Sequence, residues 1–319
     1  WMKVKSFLKL VEIQTKVASV LPFLLGTVYV LYRFNTFNTV NFFIMFVSLL
    51  SFDMATTAIN NYIDFKKAVK TEGYNYESHN AIVRDKLRES TVIATIVVLL
   101  AVAVSAGIVL YLNTNIVVLL IGIVSFGVGI LYTFGPLPIS RMPLGEVFSG
   151  FFMGFVIPFL SVYIHIFDRE IVRLGYEAQI LSININAEEI LYIFLVSFPA
   201  VSGIANIMLA NNICDIEDDI ENKRYTLPIY IGREKALTLF KALYYLIYLD
   251  IFLIVILRIL PLASLVLLLT FIPVNKNIKG FFVKQTKKDT FVLAVRNFVL
   301  VSSAFVILIG ALAAIKSLL

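Results

Sequence analysis

Two short polar runs carry the chemistry of this chain, Asn60-Asn61-Tyr62-Ile63-Asp64 and Asn211-Asn212-Ile213-Cys214-Asp215, 151 positions apart. Each closes an apolar stretch long enough to cross a bilayer, where a carboxylate and paired amides are costly because hydrocarbon offers them no water. The second run continues into Asp218 and Asp219, so Asn211, Asp215, Asp218 and Asp219 follow i, i+4, i+7, i+8 spacing on one helical face. In the first, Asp53, Thr57, Asn60 and Asp64 likewise share a face, a polar stripe from mid-membrane to the helix end. Acids converging in a low-dielectric place repel unless a cation holds them. Oxygen ligands without His or Cys select a hard ion, and Mg2+ takes one or two carboxylates plus phosphate oxygens. The neighbouring Lys66, Lys67, Arg84, Lys223 and Arg224 supply positive charge suited to a diphosphate. Either run alone reads equally well as helix caps beside topology anchors. Both together, repeated on matching faces, favour one Mg2+–diphosphate site built from two helix ends.

The elements that must position these residues follow from composition. Hydrophobic residues make up 60% of the 319 and charged residues 15%, against about 25% charged in a soluble chain; the mean hydropathy is +0.90. This is a polytopic all-α membrane protein, expected to form a bundle of nine transmembrane helices with a central cavity open toward the cytoplasm. A single integral-membrane domain is expected over 1–319. Apolar runs of roughly 20 residues place the spans near 15–33, 38–60, 91–112, 115–133, 146–166, 187–210, 235–257, 260–274 and 291–317. Lys3, Lys5 and Lys9 lead into a full-length span, not into a short apolar core with a cleavage site. Cys214 is the only cysteine and His79 and His165 the only histidines, which excludes an internal disulfide and leaves little material for a His-based cage or a Ser/His/Asp triad.

The net charge of +6 is mostly topological. Alternate connections hold 20 of the 27 basic residues, while the opposite side holds Arg33, Arg169, Arg173, Arg258 and Lys316. The positive-inside rule then expects a cytoplasmic amino terminus, an extracytoplasmic carboxyl terminus and both polar runs facing the cytoplasm of a cell membrane. No nucleic acid is implied, and Lys66, Lys70, Lys86 and Arg88 read as surface anchors. A Gly/Pro-rich turn, Gly135-Pro136-Leu137-Pro138 through Pro143-Leu144-Gly145-Glu146, forces a tight reversal between the fourth and fifth spans. Tyr132 stands at its start.

These residues resemble the UbiA-type intramembrane aromatic prenyltransferases over essentially the whole chain. The first Asp-rich motif of that family is similar to Asn60 to Asp64, and the second to Asn211 to Asp219. The run from Asn211 to Gly232, the segment Asn60 to Lys67 and the Gly135–Glu146 turn most resemble the 1,4-dihydroxy-2-naphthoate (MenA) branch. Three departures stand out: Asn61 where the first motif usually has Asp, Ala68 or Lys70 where a later acid is usual, and Cys214 where that branch often has Arg.

The resemblance implies Mg2+-dependent transfer of a polyprenyl group from its diphosphate to an aromatic acid. It implies Asp64, Asp215 and Asp219 as metal ligands and Asn60, Asn61, Asn211 and Asn212 as amide donors of oxygen. Lys67, Arg84 and Lys223 are then candidates for diphosphate, and Lys16 or Tyr132 for the acceptor. With dihydroxynaphthoate, the carboxylate would leave as CO2 and the product would be demethylmenaquinone. Another acceptor such as 4-hydroxybenzoate keeps the same fold. A cation-coupled transporter is the competing class, but it calls for polar residues continuing to the outer face, whereas Phe43–Leu50 and Ile190–Phe198 are apolar apart from Ser48 and Ser197.

Overall fold

The computed structural model describes residues 2–67, 80–135, 138–169, 171–177 and 179–318. Among them, nine helices are long and apolar enough to cross a membrane: α1 Ile13–Phe34, α2 Thr39–Lys66, α3 Glu89–Leu112, α4 Ile116–Thr133, α5 Gly145–Ile166, α6 Ala187–Cys214, α7 Arg233–Ile256, α8 Leu262–Val283 and α9 Phe291–Leu318. The chain is an all-α integral membrane protein, and the expected spans fall on these helices. Three features go beyond the hydropathy reading. A short helix, Val4–Leu10, precedes α1. The first nine residues of α8 wind as a 3-10 helix, Leu262–Thr270. An antiparallel hairpin, β1 Val172–Glu177 and β2 Ile180–Ile185, joins α5 to α6.

The described residues divide into two compact units, Trp1–Ser19 with Thr39–Ile139, and Val20–Asn38 with Ser140–Leu319. In the first, α2 packs along α3 through small residues: Ala55, Ala58 and Ala103 are fully buried, and Ser48 Oγ donates to the Ala103 carbonyl at 2.8 Å. Small side chains let backbones approach where the hydrophobic effect drives no helix association. At the end of α2 a core of Leu10, Ala58, Ala81, Ile82, Val92 and Ile96 ties Val4–Leu10, α2, the short helix Ala81–Arg84 and α3 together. The Phe52 and Phe126 rings stack at 4.0 Å between α2 and α4.

In the second unit, Gly150 and Gly154 lie four apart on α5 against α6. A Cβ on Gly154 would stand 2.4 Å from Val201 Cα, so only glycine permits this approach. Helix α5 passes here through a π-helical stretch, Phe152–Val156, of the kind that often accompanies functional sites. Helix α6 is held to α7 by Asn206 Nδ2 donating to the Phe240 carbonyl at 3.1 Å.

Candidate active site

The carboxyl-terminal end of α2 carries the first polar run, and its residues have separate fates. Asp64 is exposed in the last turn and Asn60 is half-buried. Asn61 is 5% exposed. Its Nδ2 donates to the Leu10 carbonyl at 2.9 Å and to Glu12 Oε1 at 3.2 Å, while its own carbonyl accepts from Asn80 Nδ2 at 2.9 Å. Asn80 Oδ1 in turn caps Ala81–Arg84 through Ile82 N at 3.0 Å. Asn61 is therefore a brace between Val4–Leu10 and the end of α2, a task that needs N–H donors. A carboxylate there would face the Leu10 carbonyl and the Glu12 carboxylate. Asn61→Asp is expected to lower stability by about 1–3 kcal/mol, read as a fall in the unfolding midpoint. An unchanged midpoint with tighter metal binding would instead show that position to be a metal ligand.

Deeper along the stripe, Lys16 is 3% exposed. Its ammonium donates to Asp53 Oδ1 at 2.6 Å, the Asp53 carbonyl at 3.0 Å and Thr57 Oγ1 at 2.6 Å, so all three of its N–H bonds are used. Ser19 Oγ donates to the other Asp53 oxygen at 2.6 Å. The Arg84 guanidinium donates to Asp85 Oδ1 at 2.8 Å, and this bond, with one from Ser6, lowers the Asp85 carboxyl to about 2. Lys67 continues the helix one residue beyond the α2 span, with its side chain outside the described residues. The expected later acid at Ala68 or Lys70, and the Pro136-Leu137 part of the turn, also lie outside them. Tyr132 is half-buried in the last turn of α4.

The second run is organised by the end of α6, which stops at Cys214. Asp215 bridges α6 to the short helix Ile216–Glu221. Beyond it Lys223 adopts a left-handed conformation, φ 55°, which reverses the chain so that Arg224 N reaches the Asp219 carbonyl at 2.8 Å. Thr226 Oγ1 then donates to Asp219 Oδ2 at 3.2 Å, and the Arg224 guanidinium lies 3.8 Å from Asp219 Oδ1. Asp219 is 5% exposed. Burial, only partly offset by Arg224, pushes its carboxyl up to about 6. Asp218 and Lys223 are exposed.

Two residues that the sequence reading did not single out complete this end. Glu146, at the start of α5 and 4% exposed, accepts from Asn212 Nδ2 at 2.8 Å; its other oxygen is buried with no hydrogen-bond partner among the described residues. The Gly150–Gly154 approach of α5 to α6 makes that bond possible. Lys287, in the turn before α9, places its ammonium on Asn211 Oδ1 and, at 2.5 Å, on Asp215 Oδ2. Nothing local marks Lys287 out from the other lysines of its loop; only its 72-residue reach to Asp215 does.

Among the described residues, no three His, Cys, Asp or Glu side chains converge as a metal cage. The donor set nevertheless suits a hard cation, since the Asn211–Asp215 oxygens already hold a positive charge. A Mg2+ ion there would draw its remaining ligands from water and phosphate oxygens, its usual habit.

The UbiA prenyltransferase family model matches residues 19–298. The chain belongs to that family. Among curated members of known activity it is 33% identical over 228 residues to the 1,4-dihydroxy-2-naphthoate octaprenyltransferase of Bacillus subtilis (strain 168), covering 72% of this chain and 66% of that one, just under two thirds. The fold is shared with an apo UbiA homologue from Aeropyrum pernix K1, with a TM-score of 0.68 and 17% identity over 92% of this chain and 98% of that one. A UbiA homologue from Archaeoglobus fulgidus bound to GPP and Mg2+ gives a TM-score of 0.64 with 14% identity over 97% and 99% of the two chains. The UbiA-family membership expected from the twin Asn/Asp motifs is thus established on independent grounds.

Proposed function

We propose that this protein is a Mg2+-dependent aromatic prenyltransferase acting as one integral-membrane catalytic domain. It moves a polyprenyl group from its diphosphate to an aromatic acid, with 1,4-dihydroxy-2-naphthoate as the acceptor. The observation that carries this reading is the second motif, where Asn211, Asp215 and Asp219 present oxygens suited to a hard cation within a UbiA family chain. The acceptor assignment rests on the 33% identity to the Bacillus subtilis enzyme.

In this reading Asp215 and Asp219, together with Asp64 of the first motif, hold the metal, and Asn60 and Asn211 add amide oxygens. Glu146 orients Asn212. Lys223 and Arg84 bind diphosphate oxygens, with Lys67 a further candidate, and Tyr132 stands on the acceptor side. Lys16 has no part in it, its donors being committed to Asp53 and Thr57. Bound Mg2+ would neutralise charge developing on the departing diphosphate. The allylic C–O bond breaks, a ring carbon attacks the prenyl carbon, and with dihydroxynaphthoate the carboxylate leaves as CO2, giving the demethylmenaquinone skeleton in its reduced form. The α5 aromatic file runs Phe148, Phe152, Phe151, Phe155 and Phe159, joined by Phe194 of α6 at Phe155, with neighbouring ring centroids 5.3–6.1 Å apart. It offers apolar π faces to an allylic cation and its tail, which must be kept from water. The site faces the cytoplasm of the cell membrane, consistent with the basic excess of the same loops.

Purified protein incubated with Mg2+, a polyprenyl diphosphate and a panel of aromatic acids is expected to prenylate dihydroxynaphthoate in preference to 4-hydroxybenzoate, as read by mass spectrometry. The reverse preference would reassign the acceptor and leave the chemistry standing. A proton competes with the metal at Asp219, because its carboxyl titrates near 6 and only the ionised form coordinates. Mn2+ affinity is therefore expected to level off above about pH 7 and to fall roughly tenfold per unit below about pH 6. An affinity flat down to pH 5 would remove Asp219 from the ligand set.

A further inference from the structure

We infer that Lys287 is a built-in counter-ion of the second motif, one that a divalent cation must displace and that the diphosphate then receives. The inference rests on the proposed function, since it assumes that Asp215 is a metal ligand.

The ammonium of Lys287 sits on the Asn211 and Asp215 side-chain oxygens, the oxygens a metal would use. It lies 5.4 Å over the Phe291 ring. The turn that carries it is braced. Gln285 Nε2 caps the end of α8 through the Phe281 and Phe282 carbonyls at 2.7 and 2.9 Å. Lys284 pairs with Asp289 at 2.8 Å, and Thr286 N donates to Thr290 Oγ1 at 2.9 Å. Lys284 thus answers its own loop's acid, whereas Lys287 answers the motif.

Mg2+ binds carboxylate oxygens at about 2.0–2.1 Å, so a dication on Asp215 Oδ2 would stand about 4 Å from the ammonium and repel it. The Lys287 side chain is 35% exposed, which leaves its four-carbon stem room to swing outward without disturbing the braced backbone. Once displaced, the ammonium stands beside a dication that repels it unless an anion is present. A diphosphate is that anion. Metal and diphosphate are then coupled through one side chain: metal alone pays for ejecting Lys287, and diphosphate returns a partner to it. Coupling of this kind between two ligands commonly amounts to about 5–150-fold in affinity.

The test titrates the intact protein in nanodiscs with Mn2+, followed by electron paramagnetic resonance, alone and with an unreactive prenyl thiodiphosphate. Lys287→Met is expected to bind Mn2+ alone about tenfold more tightly than the parent, and Lys287→Gln to do the same. Lys287→Arg, which keeps the cation, is expected to match the parent. The gain in Mn2+ affinity produced by the thiodiphosphate should shrink by a similar factor in the Met and Gln variants. Unchanged or weaker Mn2+ binding in both variants would overturn the inference. Asp215→Ala separates the two levels. If it abolishes Mn2+ binding while Lys287→Met and Lys287→Gln change nothing, only the role of Lys287 fails. If Asp215→Ala leaves Mn2+ binding intact, the metal assignment fails and takes this inference with it.

Discussion

Replacing Asp215 by Ala is expected to lower prenyl transfer by about three orders of magnitude in kcat/KM, equivalent to about 4 kcal/mol of transition-state stabilisation. Asp215 stands where α6 ends, at the one point where a carboxylate, the Asn211 amide oxygen and a cation already meet. Its removal takes away a proposed metal ligand and leaves Lys287 without its carboxylate partner, so the loss should appear in kcat as well as KM. Asp215→Asn keeps the shape but not the charge and is expected to lie within about tenfold of the Ala variant. Activity within tenfold of the parent in Asp215→Ala would show that this carboxylate holds no metal essential to the reaction.

The largest effect on stability is expected at Lys16. Its ion pair with Asp53 is buried, at 4% and 15% side-chain exposure and 2.6 Å. Removing one partner of such a pair strands the other charge and costs about 3–5 kcal/mol. Lys16→Met should therefore lower the unfolding free energy by about that amount in a chemical or detergent unfolding series. Lys16→Met combined with Asp53→Leu should recover much of it, because an apolar pair leaves no charge stranded. A single-variant cost below about 1 kcal/mol, with reduced acceptor affinity, would instead return Lys16 to the acceptor site.

Hydropathy located the spans because bilayer thickness imposes a length on each apolar run. The helix-end acids were equally legible, since intramembrane carboxylates are too costly to be incidental. The role of Asn61 was not: its identity reads as a weakened acid until Leu10 and Glu12 are seen to need its N–H groups. The partners of Lys16 and Lys287 are hidden in the sequence for a related reason. A basic residue near a membrane face satisfies the topology rule whatever its partner, and the partners lie 37 and 72 residues away. In the sequence Glu146 only closes a Gly/Pro turn, because its bond to Asn212 depends on the glycine-mediated approach of α5 to α6. The β1–β2 hairpin carries its signal in plain alternation, with Val172, Leu174 and Tyr176 opposite Ile185, Ile183 and Leu181. That period-2 pattern is masked by the two much stronger helical signals on either side of it.

The central claim is that this chain performs metal-dependent prenyl transfer to an aromatic acid. Its most direct test is mass-spectrometric product analysis of the purified protein supplied with a polyprenyl diphosphate and 1,4-dihydroxy-2-naphthoate, with Mg2+ or with EDTA. The predicted result is a product heavier than the acceptor by the prenyl group, less one hydrogen and CO2, formed with Mg2+ and absent with EDTA. Intact substrates in both arms, from folded protein, would contradict the claim.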